Sequence, residues 1–489
     1  METNKLKFGW CETSIDPKRP ISLAGQFFER VTEEVETPLT VTALAVDNGI
    51  DHSVFVSCDL ISIGANLVAL VRENLKGKVD GLDLNKIIIS AIHTHTSFKY
   101  ERDDFAMGSS KDILLPFLPE GSVYKPVADS GTGMDPHDAL VFLADRIALA
   151  VKTAWESRAE GYYGTGFGRA AVGFNRRMKY DDGKSKLYGN VRVPNFIGME
   201  GSTDSGIEIL FTFDKDKKVT GAAVNVACPS QVVEMKNFMS ADYWGKVRIL
   251  LREHFGEDLK VLSLCSAAGD IAPRDMVRWR GKVKGYLKRN EDPSMLDIEG
   301  TWKIGKRIAR EVIDAYDDAV VNLKDSDCIM HSVDNLKLPL RFATETEYKE
   351  ALRSIKEYFR DNPKPEYDFL DVSELFVYTG TIARYEFQKN HNIVPAEVHS
   401  VRLGDVAFVT APGEYFVAYG DRIRGASRAS QTFIIQLACN SYSYIPTEEA
   451  EKGSHYSAYI SSGAIGHEGG NIIVRTHLDN INEMFKDVE

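Results

Sequence analysis

An α/β fold, with a large mixed sheet and helices packed on it, is the architecture this sequence predicts. Three observations carry that reading. Short β-branched runs alternate with amphipathic helical patterns from one end of the chain to the other. Polar clusters rich in small residues fall directly after several of the apolar runs, where the carboxyl ends of strands open ligand crevices. No repeat, low-complexity tract or linker breaks the alternation, so 1–489 reads as one domain with a long active-site loop at 97–137.

The elements follow in order. Alternating apolar residues predict strands at 39–47 and 53–60, joined by the turn signal Asp47-Asn48-Gly49. A helical pattern covers 64–76. The run Ile87-Ile88-Ile89-Ser90-Ala91-Ile92 then reads as a buried strand that delivers His93 and His95 to its carboxyl end. Strand period places both imidazoles on one face. Buried there, they need hydrogen bonds or a metal ion, for which histidine is the commonest ligand.

From 97 to 137 the sequence is rich in Gly, Ser, Pro and Asp without periodicity, the pattern of a functional lid. Pro136 suits the first turn of a helix over 136–157. Strands are expected at 162–168, 206–213 and 219–227, the last two joined by Asp214-Lys215-Asp216-Lys217-Lys218. Helices at 241–256, 296–317 and 344–360 alternate with strands at 259–265 and 328–340. The charged helix at 344–360 suits either a partner subunit or solvent. A hairpin, 398–403 with 406–411, turns at Gly404-Asp405. A helix at 415–426, a strand at 432–439 and a helix at 471–486 complete the pattern.

Composition narrows the function classes. Hydrophobic content of 43% and charged content of 27% are ordinary for a soluble enzyme. A formal charge of −12 argues against a nucleic-acid backbone as partner. No apolar run approaches the roughly 20 residues that span a bilayer. The amino-terminal residues lack the apolar stretch of an export signal, which points to a cytoplasmic protein. The six cysteines are scattered without zinc-finger spacing and read as buried thiols.

Four clusters carry chemistry. Pro412-Gly413-Glu414 follows a strand and opens a helix, so Glu414 reads either as a metal carboxylate or as a charge favoured by the helix dipole. Tyr444, in the polar run after the strand at 432–439, reads alone as packing with a wet hydroxyl. Gly269-Asp270-Ile271-Ala272-Pro273 permits close backbone approach to a ligand, or forms a tight turn capped by Asp270. Asn175-Arg176-Arg177 offers guanidinium groups for bidentate capture of a polar substrate group, or forms a solvated face.

Taken in this order, the clusters resemble the neutral/alkaline ceramidases, zinc amidases that cleave the N-acyl bond of ceramide. The family's THTH segment resembles Ile92-His93-Thr94-His95, its NRS segment Asn175-Arg176-Arg177, its GDxSP loop Gly269-Asp270-Ile271-Ala272-Pro273, and its PGE Pro412-Gly413-Glu414. The most specific match is Tyr444-Ile445-Pro446-Thr447-Glu448-Glu449 with Tyr456 downstream. The resemblance implies a ceramidase-like catalytic fold lacking the C-terminal immunoglobulin-like domain of the secreted enzymes. It implies one Zn2+ ion held by His93, Glu414 and Tyr444. It makes His95 and Arg176 substrate-facing, Tyr456 an oxyanion donor, and Asp270 or His95 a proton relay. The ion would polarise the scissile carbonyl and acidify bound water.

Two departures stand out. Ala272 occupies the family's serine position, and a methyl group can neither attack nor hold a proton. The family's second zinc histidine should fall near Ala227-Cys228-Pro229-Ser230-Gln231, where none is present; Cys228, Gln231, Glu234, Asp242 and His95 are the candidate substitutes. The expected function is a zinc-dependent hydrolase acting on an amide, ester or lactone of an acylated small molecule. The alternatives are a binding homologue without turnover, and a metal-assisted isomerase or lyase acting on a sugar or polyol.

Overall fold

Two sheets stacked face to face, each backed by helices, frame the protein. The computed structural model describes residues 5–26, 28–103, 110–125, 133–278, 296–325 and 328–487. The larger sheet has eight strands in the spatial order Lys260–Cys265, Val219–Val226, Gly206–Asp214, Ala159–Arg169, Lys7–Ser14, Thr40–Asp47, His52–Cys58, Ile87–Ala91. The smaller has four, in the order Ile329–Pro339, Ile393–Leu403, Val406–Thr410, Gln431–Ile435. Parallel and antiparallel neighbours occur in both.

Strand period sorts the side chains between layers. Ile87, Ile89 and Ala91 enter a core shared with helices Ala65–Leu75 and Pro136–Glu156, while Ile88 faces the smaller sheet. Phe408 of the smaller sheet meets Phe55 of the larger at 4.7 Å between ring centroids. Ile207, Ile209 and Phe211 pack under helices Tyr243–Phe255 and Ile298–Val321. Ala407, Val409 and Ile434 pack under Val417–Ala426 and His467–Met484. The layer order is therefore helix, sheet, sheet, helix. Each fully buried Ile, Val or Phe contributes about 1.5–3 kcal/mol, so the two inner faces supply much of the stability.

Three parallel pairs set up the functional edge. His52–Cys58 pairs with Ile87–Ala91, Val219–Val226 with Lys260–Cys265, and Val406–Thr410 with Gln431–Ile435. The loops after these strands meet: His95 N–H donates to the Ser230 carbonyl at 3.2 Å, and Gly269 N–H to the Tyr415 carbonyl at 2.9 Å.

Most expected elements are present. Three differences have local causes. The strand Lys7–Ser14 escapes the alternation rule because Gly9 presses on the main chain at Ala154, a contact no side chain would allow. Helix Phe376–Phe387 mixes Thr and Gly with its apolar residues and buries Thr379 and Arg384, blurring its stripe. The strand expected to reach 439 stops at Ile435, since Leu437 and Cys439 take left-handed backbone angles, φ 53° and 60°.

The charged helix Glu345–Asp361 opens on a Thr344–Glu347 capping box and buries Ala351, Ile355 and Phe359 within the chain. Of the expected lid at 97–137, residues 104–109 and 126–132 lie outside the described residues. Its described middle packs Leu114 onto that helix and pairs Val123–Tyr124 with Glu366–Tyr367.

A buried histidine gives this fold a measurable acid limit. His477 Nε2–H donates to the Thr410 carbonyl at 2.8 Å, and Nδ1 accepts from Ser400 Oγ at 2.9 Å, which satisfies the neutral ring. Burial lowers its pKa from 6.5 to about 4. The unfolded chain therefore takes up a proton that the folded chain refuses, and stability falls as pH drops from 6.5 through 4. The loss attributable to His477 is about 3 kcal/mol across that window. Urea midpoints measured against pH should show a smaller decline in His477→Gln.

Candidate active site

His93 leaves its strand with φ 64°, a left-handed angle held by neighbouring main-chain bonds: Ile92 N–H to the Cys58 carbonyl and Thr94 N–H to that of Leu60. His93 Nδ1–H donates to the Ile61 carbonyl at 2.7 Å, and His95 Nδ1–H to the Gly25 carbonyl at 2.9 Å. A carbonyl only accepts, so in the neutral tautomers both Nε2 atoms are acceptors, that of His95 facing the Gln231 amide and that of His93 left bare. These two atoms face each other at 3.2 Å. Glu414 Oε2 stands 3.3 Å from His93 Nε2, a third acceptor turned to the same place.

Acceptors crowded in a buried space repel unless a proton or a cation lies between them. A cation bound at about 2.0–2.2 Å holds tetrahedral ligands roughly 3.3–3.6 Å apart, close to the spacings of His93. Carbonyl anchoring of Nδ1 is also the outer-sphere arrangement typical of metal-bound histidine. The donor set fits a divalent ion.

Glu414 and Tyr444 are brought together by a short parallel pairing, Glu414–Tyr415 with Tyr444–Ile445. Gly413 permits this approach, since a Cβ there would lie 2.5 Å from the Ser443 carbonyl oxygen. Gly269 likewise lets its own loop reach the Glu414 main chain, where a Cβ would lie 2.3 Å from the carbonyl oxygen. Burial, and then the Glu414 carboxylate, push the Tyr444 phenol well above its usual 10. The ring of Tyr456 meets that of Tyr444 at 5.6 Å, edge to face.

Arg176 is buried and bridges the group. Nη2 donates to Tyr444 Oη at 3.2 Å and to the Gly269 carbonyl at 3.0 Å, and lies 3.8 Å from Glu414 Oε2. Nη1 reaches Tyr188 Oη at 3.3 Å and Gln231 Oε1 at 3.4 Å. Its buried Nε–H has no acceptor among the described residues.

Of the candidate substitutes for the missing histidine, Gln231 is the residue placed against His95. Arg176 holds its amide oxygen, so its NH2 donates to His95 Nε2 at 2.7 Å. Glu234 Oε2 lies 3.7 Å from His95 Nδ1. Cys228 instead points its thiol at the Val172 carbonyl, and Asp242 caps helix Tyr243–Phe255 through the Tyr243 N–H. Burial, then His93, depress the pKa of His95 well below 6.5.

Asp270 sits behind this group. Its carboxylate accepts from Val417 N–H at 2.8 Å and from Asn175 Nδ2 at 2.7 Å, and burial raises its pKa to about 6. Its carbonyl accepts from Arg176 N–H at 2.9 Å, so its contacts run to the Arg176 segment rather than to the imidazoles. Ala272 is fully buried and pairs with Phe174. Neither arginine of the pair is solvated: Arg177 is enclosed and meets Glu200 at 2.5 Å.

Sequence reasoning did not find Tyr188 or Gly25, neither of which stands in a motif. Gly25, at φ 91°, has room for no side chain, since a Cβ would lie 2.7 Å from His95 Cα and Cβ. Gly25→Ala is expected to displace His95 and to cost about 1–3 kcal/mol of stability through backbone strain. Thermal unfolding would register the second effect and the histidine ring NMR signals the first. Unchanged ring signals would refute the contact.

Glu397, His399 and Cys439 form a separate grouping of metal-ligand types, with ligand atoms within 4.8 Å of one another. No family model matches the sequence, and no curated protein sequence matches it. The likeness is structural. The crystal structure of neutral ceramidase from Pseudomonas aeruginosa matches with a TM-score of 0.67 at 15% identity, covering 99% of this chain and 75% of that one. A ceramidase complexed with C2 matches at TM-score 0.66, also 15% identical, with the same coverage. The chain has the ceramidase fold.

Proposed function

We propose that this protein is a metal-dependent hydrolase that cleaves an amide, ester or lactone bond of an acylated small molecule. The observation that supports the reading is His93 Nε2 facing Glu414 Oε2 at 3.3 Å, with the Arg176 guanidinium lying between that carboxylate, at 3.8 Å, and the Tyr444 phenol, at 3.2 Å. In this reading His93, Glu414 and Tyr444 hold the ion, taken as zinc. When bound, the ion supplies Lewis-acid polarisation and an acidified water.

The chain's own groups do the rest. Arg176 and Tyr456 lie beside the ligands and offer N–H and O–H donors to negative charge that develops on the acyl oxygen. His95, oriented by Gly25 and Gln231, takes and returns a proton at Nε2 once the Gln231 amide yields. Asp270 holds Asn175 and the Arg176 main chain, and through them the guanidinium. With Ala272 in its loop, no step uses a hydroxyl at that position. The protein as a single cytoplasmic catalytic domain acting on a small acylated substrate remains part of the proposal.

A second reading has its own support: a binding protein without turnover, consistent with Ala272 and with the Gln231 amide occupying the His95 lone pair. One experiment separates the two. Protein stripped of metal and reloaded with Zn, Mn or Fe is offered N-acyl amides, esters and lactones, and products are identified by mass. Hydrolysis adds one water; isomerisation adds none. Hydrolysis restored by metal supports the enzyme, and binding without product under every metal supports the second reading.

A further inference from the structure

Deeper along the strand that leads to His93, a second cluster brings three metal-ligand atoms within 4.8 Å of one another. His331 Nδ1 contacts the His52 carbonyl at 3.3 Å, which fixes its proton there and leaves Nε2 bare. His399 Nδ1–H therefore donates to His331 Nε2, at 2.9 Å. The remaining nitrogen of His399, Nε2, is an acceptor in turn. It faces Glu397 Oε1 at 3.0 Å and accepts from the Cys439 thiol, whose Sγ lies 3.4 Å away. Arg72 grips the same carboxylate with both Nη atoms, at 2.7 and 2.9 Å, so Glu397 has no proton to offer. His399 and Cys439 are buried.

We infer that Glu397, His399 and Cys439 form a second metal site for a borderline-soft divalent cation of the zinc class, separate from the proposed active site. Zinc bonds of about 2.0–2.1 Å to nitrogen and oxygen and about 2.3 Å to sulfur set ligand atoms roughly 3.3–3.6 Å apart, near the separations found here. Binding would displace the Cys439 proton to solvent, and the resulting thiolate, with an imidazole and a carboxylate, selects zinc-like ions over magnesium or calcium. Each ligand is also oriented from behind: His399 by His331, Glu397 by Arg72, and Cys439 by the Ile89 carbonyl, which accepts its N–H at 2.8 Å.

The placement gives the site a role. Glu397 and His399 lie on the strand Ile393–Leu403 of the smaller sheet, whereas Cys439 lies in the segment that runs on to Tyr444. That segment has left-handed backbone at Leu437, Cys439 and Ser443, an unfavourable conformation that needs outside support. The ion pins the segment to the sheet and so fixes where Tyr444 stands. This is a structural brace.

Cobalt substitution tests the site by a signal the active site does not give, since none of the ligands assigned there is a cysteine. Co2+-loaded wild-type protein should show thiolate-to-cobalt charge-transfer absorption in the near ultraviolet. Cys439→Ser should abolish that absorption, while Glu397→Gln should weaken cobalt binding by more than about 10-fold. Absence of the band from wild-type protein saturated with Co2+, or its persistence in Cys439→Ser, would overturn the inference. If the Cys439 thiol keeps its proton and merely hydrogen-bonds to His399, no band forms. Should Cys439→Ser fail to fold, the wild-type spectrum and the Glu397→Gln titration still decide.

Discussion

His93→Ala is expected to remove the ion of the proposed active site and hydrolysis together. His93 Nε2 is the atom on which the acceptor cluster centres, 3.2 Å from His95 Nε2 and 3.3 Å from Glu414 Oε2. Loss of an outer-sphere partner costs roughly 10–100-fold in metal affinity, and loss of a ligand atom should exceed that. Turnover is expected to fall by at least about 10³-fold, because the ion acts on both the carbonyl and the water. Glu414→Gln, which keeps shape and removes charge, should behave alike. Metal content by mass spectrometry, measured beside turnover, checks both variants. Wild-type protein that purifies without metal and gains no activity from added zinc would count heavily against the whole reading. Thermal unfolding of His93→Ala serves as the control, since a missing imidazole next to Glu414 relieves acceptor crowding and should not unfold the chain.

How far the sequence foretells this site depends on whether a residue's neighbours are local. The strand leading to His93 and His95 was legible from its β-branched run, but it ends at Ala91. The two rings are brought face to face by the left-handed turn at His93 and the carbonyl anchors of their Nδ1 atoms, not by strand period. The layered α/β fold was legible because alternation reports burial, and each strand's inner and outer residues do separate between cores. Glu414 and Tyr444 were ambiguous by themselves. Their pairing depends on a two-residue bridge between distant segments, so only the resemblance to ceramidases singled them out. Gln231 was one of five candidates near the absent histidine, and its contacts, a hydrogen bond to His95 with its oxygen held by Arg176, join three separate loops.

Gly25 and Tyr188 left no trace at all. Gly25 matters because of what it lacks, and Tyr188 because a loop happens to bring its hydroxyl to Arg176. The brace at Glu397, His399 and Cys439 was invisible for a related reason. Its ligands have no metal-binding spacing, since Glu397 and His399 are alternate residues of one strand and Cys439 arrives from the next parallel crossover. Only folding puts the thiol beside the imidazole.

Arg176 should produce the opposite pattern to His93: turnover lost, metal kept. The guanidinium touches four groups through two nitrogens, namely Tyr444 Oη, the Gly269 carbonyl, Tyr188 Oη and Gln231 Oε1. Its Nε–H, buried and without an acceptor among the described residues, is the donor left over for a ligand. Desolvation opposes the charge, but Tyr444, Tyr188 and Glu414 outweigh it, and Arg176 stays ionised. Removing one preorganised donor to a developing oxyanion costs about 10²–10³-fold in kcat, and Arg176→Ala should fall in that range with little change in KM. Arg176→Lys should recover little, because one ammonium cannot span the positions of a planar fork. Metal content should stay near wild type in both variants, since the guanidinium is not a ligand. A variant that loses metal in proportion to activity would reassign Arg176 from charge stabilisation to holding Glu414 and Tyr444 in place. A variant that keeps both would remove it from the mechanism.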